Sequence, residues 1–340
     1  MSNEFNINKI FEAFKKYGID KTFINEILLP DWWTPEVTNT KAGYLQTISI
    51  LAKNLGIHIE NLLTDPENIS LKKTLPIKYK TAKNVHIDSK NIWVQSLYIR
   101  ISELIEKTFS FQYKELPEDS LEIRNEIIEK YGKINLENVL EFLWTAGIPV
   151  LFISEFPRGI HKMDGMVINF KGRPIILVSQ NRKQSAWVLF IISHEIGHII
   201  KKHISESEPI IYDTEFEQLD DDAEEVGANQ EALRFLTGQD DPNFIDGTFD
   251  SSYRLANLAR KISSSVNVDA GTIVLNYAYA TKNYSLAQQA LKVLDPKADA
   301  VNLVKSKMKN YLNFDSLSEE NFEFFTKITA MADNRIETIS

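Results

Sequence analysis

The sequence predicts an α+β fold: mostly helical, with a small three-stranded sheet packed on one buried helix and helical regions at both ends. Three observations predict it. Apolar residues recur at helical spacing through both ends of the chain, in N-terminal runs that stop at Gly18 and Gly56. Three short apolar runs, divided by Gly, Pro and charged turns, fall together between Ile148 and Val178. Behind them, Ala186 to Ile200 is apolar on nearly every side of a helix, the pattern of a helix without a solvent face.

Taken in order, Ile10, Phe11, Phe14 and Tyr17 share one helical face up to Gly18, and Tyr44, Leu45, Ile48, Leu51, Ala52 and Leu55 share another up to Gly56. Leu28 and Leu29 beside Trp32-Trp33 make that pair a core anchor rather than a base-stacking platform. Residues 1–65 therefore form one helical unit. Residues 66–130 read as a linker followed by helices; in the linker, Leu71 to Lys90 carries six lysines against Asp88 alone and reads as solvated. His58 and His86 are read as ordinary structural or surface residues.

The next unit, 131–238, opens with Leu136, Val139, Leu140, Leu143 and Trp144 on a helix that Gly147 should end. Ile148–Ile153, Met166–Phe170 and Ile175–Val178 are the three strands, and after the buried helix a second one is expected from Glu217 to Thr237, with Gly238 as its stop. A break at Gly238-Gln239-Asp240-Asp241-Pro242 opens the last region, 239–340. There Tyr253–Arg260 and Ala270–Tyr279 predict helices, and Ser316-Leu317-Ser318-Glu319 has the form of a capping box ahead of Phe322, Phe325 and Ile328.

Chemistry concentrates in His194-Glu195-Ile196-Gly197-His198, an H-E-x-x-H pattern. On a helix the two imidazoles fall one turn apart on the same face, where both can reach one Zn²⁺, with Glu195 beside them as a general base. Burying two imidazoles and a carboxylate in so apolar a helix is costly without partners, and a metal supplies them. A catalytic zinc takes a third protein ligand, and with no cysteine in the chain it must be His, Asp or Glu. His203 lies five residues past His198, about 140° around a continuing helix, and would point away. The ligand is then expected from the second helix, where Glu224 and Glu225 compete and Asp220, Asp221 and Asp222 follow. Gly227 and Ala228 are small enough to let the two helices approach closely.

The H-E-x-G-H helix, the acidic stretch and then Glu225-Val226-Gly227-Ala228-Asn229 resemble the ImmA/IrrE family of bacterial and phage zinc metallopeptidases. Pro157-Arg158-Gly159, Gly165-Met166-Val167 and Pro174-Ile175-Ile176-Leu177 resemble the family's short strands. The resemblance implies a zincin-like core, zinc as the cofactor, His194, His198 and Glu225 as its ligands, Glu195 as the catalytic glutamate and Asn229 behind the ligands. The separation of Glu225 from His198, 225 − 198 = 27 residues, fits a connection without a strand. One departure stands out: the family follows its Asn with x-F-A, whereas Asn229 precedes Gln230-Glu231-Ala232. Several relatives carry an N-terminal helix-turn-helix of the XRE type, and residues 1–65 look like a divergent version. The charges there, six lysines, no arginine and eight acids, oppose DNA binding.

The function implied by the resemblance is zinc-dependent hydrolysis of a peptide bond in a regulatory protein, a repressor or an antitoxin. Glu195 would take the proton of the attacking water and pass it to the leaving amine. His161, Arg158, Tyr212 and His203 are candidate donors to the oxyanion, and the substrate would join the sheet edge as an extra strand. The alternative is a non-proteolytic regulatory, DNA-associated or toxin-like interaction protein with a structural or sensory zinc site. Composition narrows the field. A net charge of −9 argues against nonspecific nucleic-acid affinity, and the absence of cysteine excludes disulfides and fits a reducing cytoplasm. Met1 to Lys16 lacks an apolar core and no apolar run reaches membrane-spanning length, so a cytoplasmic protein without a membrane segment is expected. From Ile204 to Leu233 there are eleven acidic residues and no Lys or Arg, either a solvated face or a negative rim that attracts a basic segment.

Overall fold

Two nearly continuous apolar runs on either side of a two-residue turn build the hairpin at the centre of the sheet. The computed structural model describes residues 6–66, 68–72, 77–80, 89–158, 163–205, 210–213 and 222–332. In it β3 (Gly165–Phe170) pairs antiparallel with β4 (Arg173–Val178), from Gly165 opposite Val178 to Phe170 opposite Arg173. Lys171 and Gly172 both take positive φ, 54° and 81°, as a type I′ turn requires. β2 (Val150–Phe152) lies parallel to β4 on its far side. These are the three predicted strands.

The sheet goes further than predicted. β5 (Ile210–Asp213) pairs antiparallel with β3, and β1 (Ile77–Lys80) pairs parallel with β5, giving the order β1-β5-β3-β4-β2. The expectation of three strands is thus corrected to five among the described residues, and the connection between the helix of His194 and His198 and that of Glu225 contains a strand. Both additions are four residues long and sit inside strongly charged stretches, so charge composition masked their apolar content.

Helices enclose the sheet. The N-terminal group comprises α1 (Ile7–Lys16), α2 (Lys21–Phe23), α3 (Lys41–Asn54) and α4 (Ile59–Thr64), with a π turn at Ile24–Leu28 and a 3₁₀ turn at Pro35–Asn39. Then come α5 (Ser89–Thr108), α6 (Ser120–Tyr131), α7 (Leu136–Thr145), α8 (Ser185–Ile200) and α9 (Ala223–Thr237). The C-terminal group is α10 (Ser252–Val266), α11 (Ala270–Thr281), α12 (Tyr284–Leu294), α13 (Ala300–Tyr311) and α14 (Glu319–Thr329). The expected stops Gly18, Gly56, Gly147 and Gly238 all have positive φ. Residues 217–221 of the predicted second helix lie outside the described residues, as do His86 and His161.

Two details differ from expectation. The cap of α14 is Ser318, which accepts from Asn321 N, because Phe314–Ser316 coils into its own 3₁₀ turn. Of the tryptophan pair only Trp33 anchors, packing on Phe11 and donating to Thr47 Oγ1 at 2.9 Å, while Trp32 is 46% exposed.

One apolar cluster runs from the N-terminal helices through α5, the sheet and α8 to α13 and α14; a smaller, alanine-rich one joins α10, α11 and α12 to Ala186 at the start of α8. Polar ties hold α14 in place: Lys327 Nζ donates to Leu29 O of the N-terminal group at 2.8 Å, and the Arg100 guanidinium of α5 to Asn321 Oδ1 at 2.7 Å. Among the described residues no helix is long and apolar enough to cross a membrane.

Candidate metal centre

Helix α8 runs through the centre because nothing between Ser185 and Ile200 needs water except His194, Glu195 and His198. The sheet covers it through β3 and β4, with α7, α9 and α11 against its other sides. Its C-terminal half meets α9 at a tight crossing: a Cβ on Gly197 would stand 2.5 Å from Ala228 O. The small residues that allow this approach are Gly197 and Ala228. Gly227, also expected there, has only His203 Cε1 near the place of a Cβ, at 3.9 Å.

That crossing sets the first turn of α9 against the two imidazoles. Asp222 caps the helix by accepting from Glu224 N, and Glu225 turns inward. His194 Nε2 lies 3.1 Å from Glu225 Oε2, His198 Nε2 lies 3.5 Å from Glu225 Oε1, and the two Nε2 atoms are 2.9 Å apart. All three side chains are 0% exposed, as is Glu195. Among the described residues no other group of His, Asp and Glu converges in this way. Glu224 is only half-buried, Asp222 is engaged as the cap, and Asp220 and Asp221 lie outside the described residues.

The donor set fits a metal ion. Ligands held about 2.0–2.1 Å from a tetrahedral ion are roughly 3.3 Å from one another, and the separations of 2.9, 3.1 and 3.5 Å bracket that value. The outward ring nitrogens agree. His194 Nδ1 meets Asn229 Oδ1 at 2.9 Å, and since an amide oxygen only accepts, Nδ1 carries the proton and Nε2 presents its lone pair inward. His198 Nδ1 meets His203 Nδ1 at 2.9 Å, which lets His198 donate outward and keep its Nε2 lone pair inward as well. Two lone pairs and a carboxylate therefore face one another away from water, an arrangement that a cation stabilises.

His203 overturns an expectation. It was predicted to point away on a continuing helix, but α8 stops at Ile200, Lys202 adopts φ 56°, and the chain folds back so that His203 supports His198. No residue type in the sequence announces that left-handed turn at a lysine. Glu231 pairs with Lys201 at 2.7 Å and ties α9 to the end of α8. Glu195 packs where β3 begins; a Cβ on Gly165 would come 2.5 Å from Glu195 Oε1 and 2.6 Å from Ile191 Cγ2. Of the oxyanion candidates, Arg158 is 80% exposed and faces Asp20, His203 is engaged with His198, Tyr212 stands on β5 opposite Met166, and His161 lies outside the described residues.

Comparison of the chain with family models, curated proteins and solved structures finds no match. What the geometry itself supports is a buried His194, His198 and Glu225 group that could hold a metal ion.

Proposed function

We propose that the chain is a zinc-dependent endopeptidase that hydrolyses a peptide bond in a regulatory protein, a repressor or an antitoxin. The observation that carries this reading is the convergence of His194, His198 and Glu225 within 3.5 Å, with Glu195 on the same helix. Bound there, zinc would supply Lewis-acid polarisation of the substrate carbonyl and acidify a water. The remaining work falls to the chain. Asn229 and His203 hold the two imidazoles in the tautomer that ligates. Glu225 offsets cationic charge, and Lys201–Glu231 keeps its helix in register with α8. Glu195 takes the proton from the attacking water and returns it to the leaving amine, while burial excludes bulk solvent.

Two variants test the reading. Glu225→Ala should purify with far less zinc than the wild type by elemental analysis, whereas Glu195→Gln should keep full zinc. Glu195→Gln should also lose cleavage of co-expressed regulators by roughly 10²–10⁴-fold, the range of a general base. A cellular effect that survives Glu195→Gln would instead favour the second reading, a structural or sensory zinc site in a non-proteolytic partner. The complete enclosure of Glu195 is the observation on that side.

A further inference from the structure

A site that cuts protein chains must be reached by one, and here all four central side chains, His194, Glu195, His198 and Glu225, are 0% exposed. A cavity of about 300 Å³ near the end of α8, lined among others by Leu116, Pro174, Ile199 and Ile204, includes none of the four. The strand that begins against Glu195 is β3, through Gly165. One edge of β3 is taken by β4. The other edge, where an extended peptide would add, is taken by the chain itself: Ile210, Ile211 and Tyr212 of β5 stand opposite Ile168, Val167 and Met166. Tyr212 is thus one residue along from the row of Gly165.

We propose that β5, backed by β1, is a built-in occupant of the strand-acceptor edge beside Glu195, so that the protein is held latent until this strand pair withdraws and an extended segment takes its place. The proposal rests on the endopeptidase reading for its purpose, but the enclosure is testable without it. Three observations carry it. Antiparallel pairing with β3 is a mode by which an exposed edge captures an extended peptide, so β5 uses the hydrogen bonds a substrate would use. The pair is short: each strand is four residues long, β1 pairing with β5, and β5 with β1 and β3. The charges are complementary, since β1 comes from the lysine-rich run and β5 ends at the start of the acidic one, with Lys80 in register with Asp213.

The test uses the full-length protein and a double substitution, Ile210→Pro with Ile211→Pro. Successive amides in a strand point to opposite sides, so the pair of prolines removes bonds to both β3 and β1. Zinc release to excess chelator is expected to be at least tenfold faster than in the wild type, with zinc content and helical circular dichroism unchanged, and labelled casein should be cleaved by the variant and not by the wild type. Ile77→Pro with Lys78→Pro, which loosens only β1, should give a smaller acceleration. Release at the wild-type rate from a variant whose β5 amides exchange freely with deuterium would overturn the proposal. Wild-type protein that binds no zinc would count against the endopeptidase reading alone; enclosure would then be read by carbethoxylation of His194 and His198, expected only in the proline variant, and overturned if the wild type reacts equally.

Discussion

The two ends of helix α8 are packed by the same device and need different things. At its start, Ala186 receives α11 at Gly271, where an added Cβ would stand 2.6 Å from Ala186 Cβ, in an apolar cluster whose nearest charged group, Asp269, is engaged in capping α11. At its end, Gly197 receives α9 at Ala228, equally close, but the crossing encloses two imidazoles and two carboxylates. Close approach at the first end is its own reward, because dispersion contacts and excluded water stabilise it. At the second it brings two imidazole nitrogens and a carboxylate within 3.5 Å of one another, a set that could hold a metal ion. A helix contact that serves packing alone and one that serves a ligand are thus told apart by what the approach buries.

Removing the ion is the strongest way to break this comparison. With zinc at about a thousand times its dissociation constant, binding adds roughly 4 kcal/mol to folding stability, and a chelator should remove it. Hydrogen exchange after chelation should rise in α9 and stay near its starting level in α11. Equal exchange in both would mean that the two ends are not distinct.

Next in size are the glycines themselves. Gly197→Ala sets a methyl against backbone, Ala228 O, so α9 must move outward; a loss of about 2–3 kcal/mol together with most of the bound zinc is expected. Gly271→Ala meets Ala186 Cβ and Asp269 Oδ1 and should cost about 1–2 kcal/mol with zinc content unchanged. Thermal unfolding combined with metal analysis separates these two outcomes.

Much of this contrast was legible in the sequence. The all-round apolar character of α8, the i, i+4 imidazoles and the carboxylate on the following helix follow from periodicity and from the ligand types zinc accepts, and the three central strands follow from β-branched runs between turn residues. What stayed hidden depends on pairing at long range. Gly165 reads as an ordinary strand start until Glu195 is placed against it. His203 is brought in by a left-handed lysine, and β1 and β5 acquire strand character only from each other and from β3. Lys201–Glu231 is likewise invisible until the two helices cross.

Arg124 links the two regions and sharpens the comparison at intermediate size. Its buried guanidinium donates to Phe235 O and Leu236 O at the end of α9, at 3.1 and 2.6 Å, and to Val266 O at the end of α10, at 3.1 Å. Burial pushes its pKa down to about 10, so it stays charged at neutral pH. Arg124→Met leaves these carbonyls without their donor and should cost about 2 kcal/mol. On the proposed reading a bound ion would anchor α9 at its first turn as this arginine does at its last, so the loss should be larger in chelated protein than in metal-loaded protein.

The smallest effect is expected at Asp269, which caps α11 by accepting from Gly271 N at 2.8 Å. Burial raises its pKa above the ordinary 3.8, against the opposing pull of the backbone amides of Gly271 and Thr272. The folded protein therefore holds this proton more tightly than the unfolded chain does. The stability it contributes is fully present below the unfolded value of 3.8 and is lost as pH rises through the higher folded value. Asn caps a helix as well as Asp, so Asp269→Asn should change stability at pH 7 by less than about 1 kcal/mol. As the pH falls toward 3.8 the wild type should gain on the variant, read as a narrowing or reversal of their difference in Tm, with zinc content the same in both at pH 7. A carboxylate at the apolar end of α8 is then tolerable because two backbone amides meet it. The carboxylate of Glu225 at the other end faces two imidazole lone pairs, and replacing it should change metal content before it changes anything that titrates.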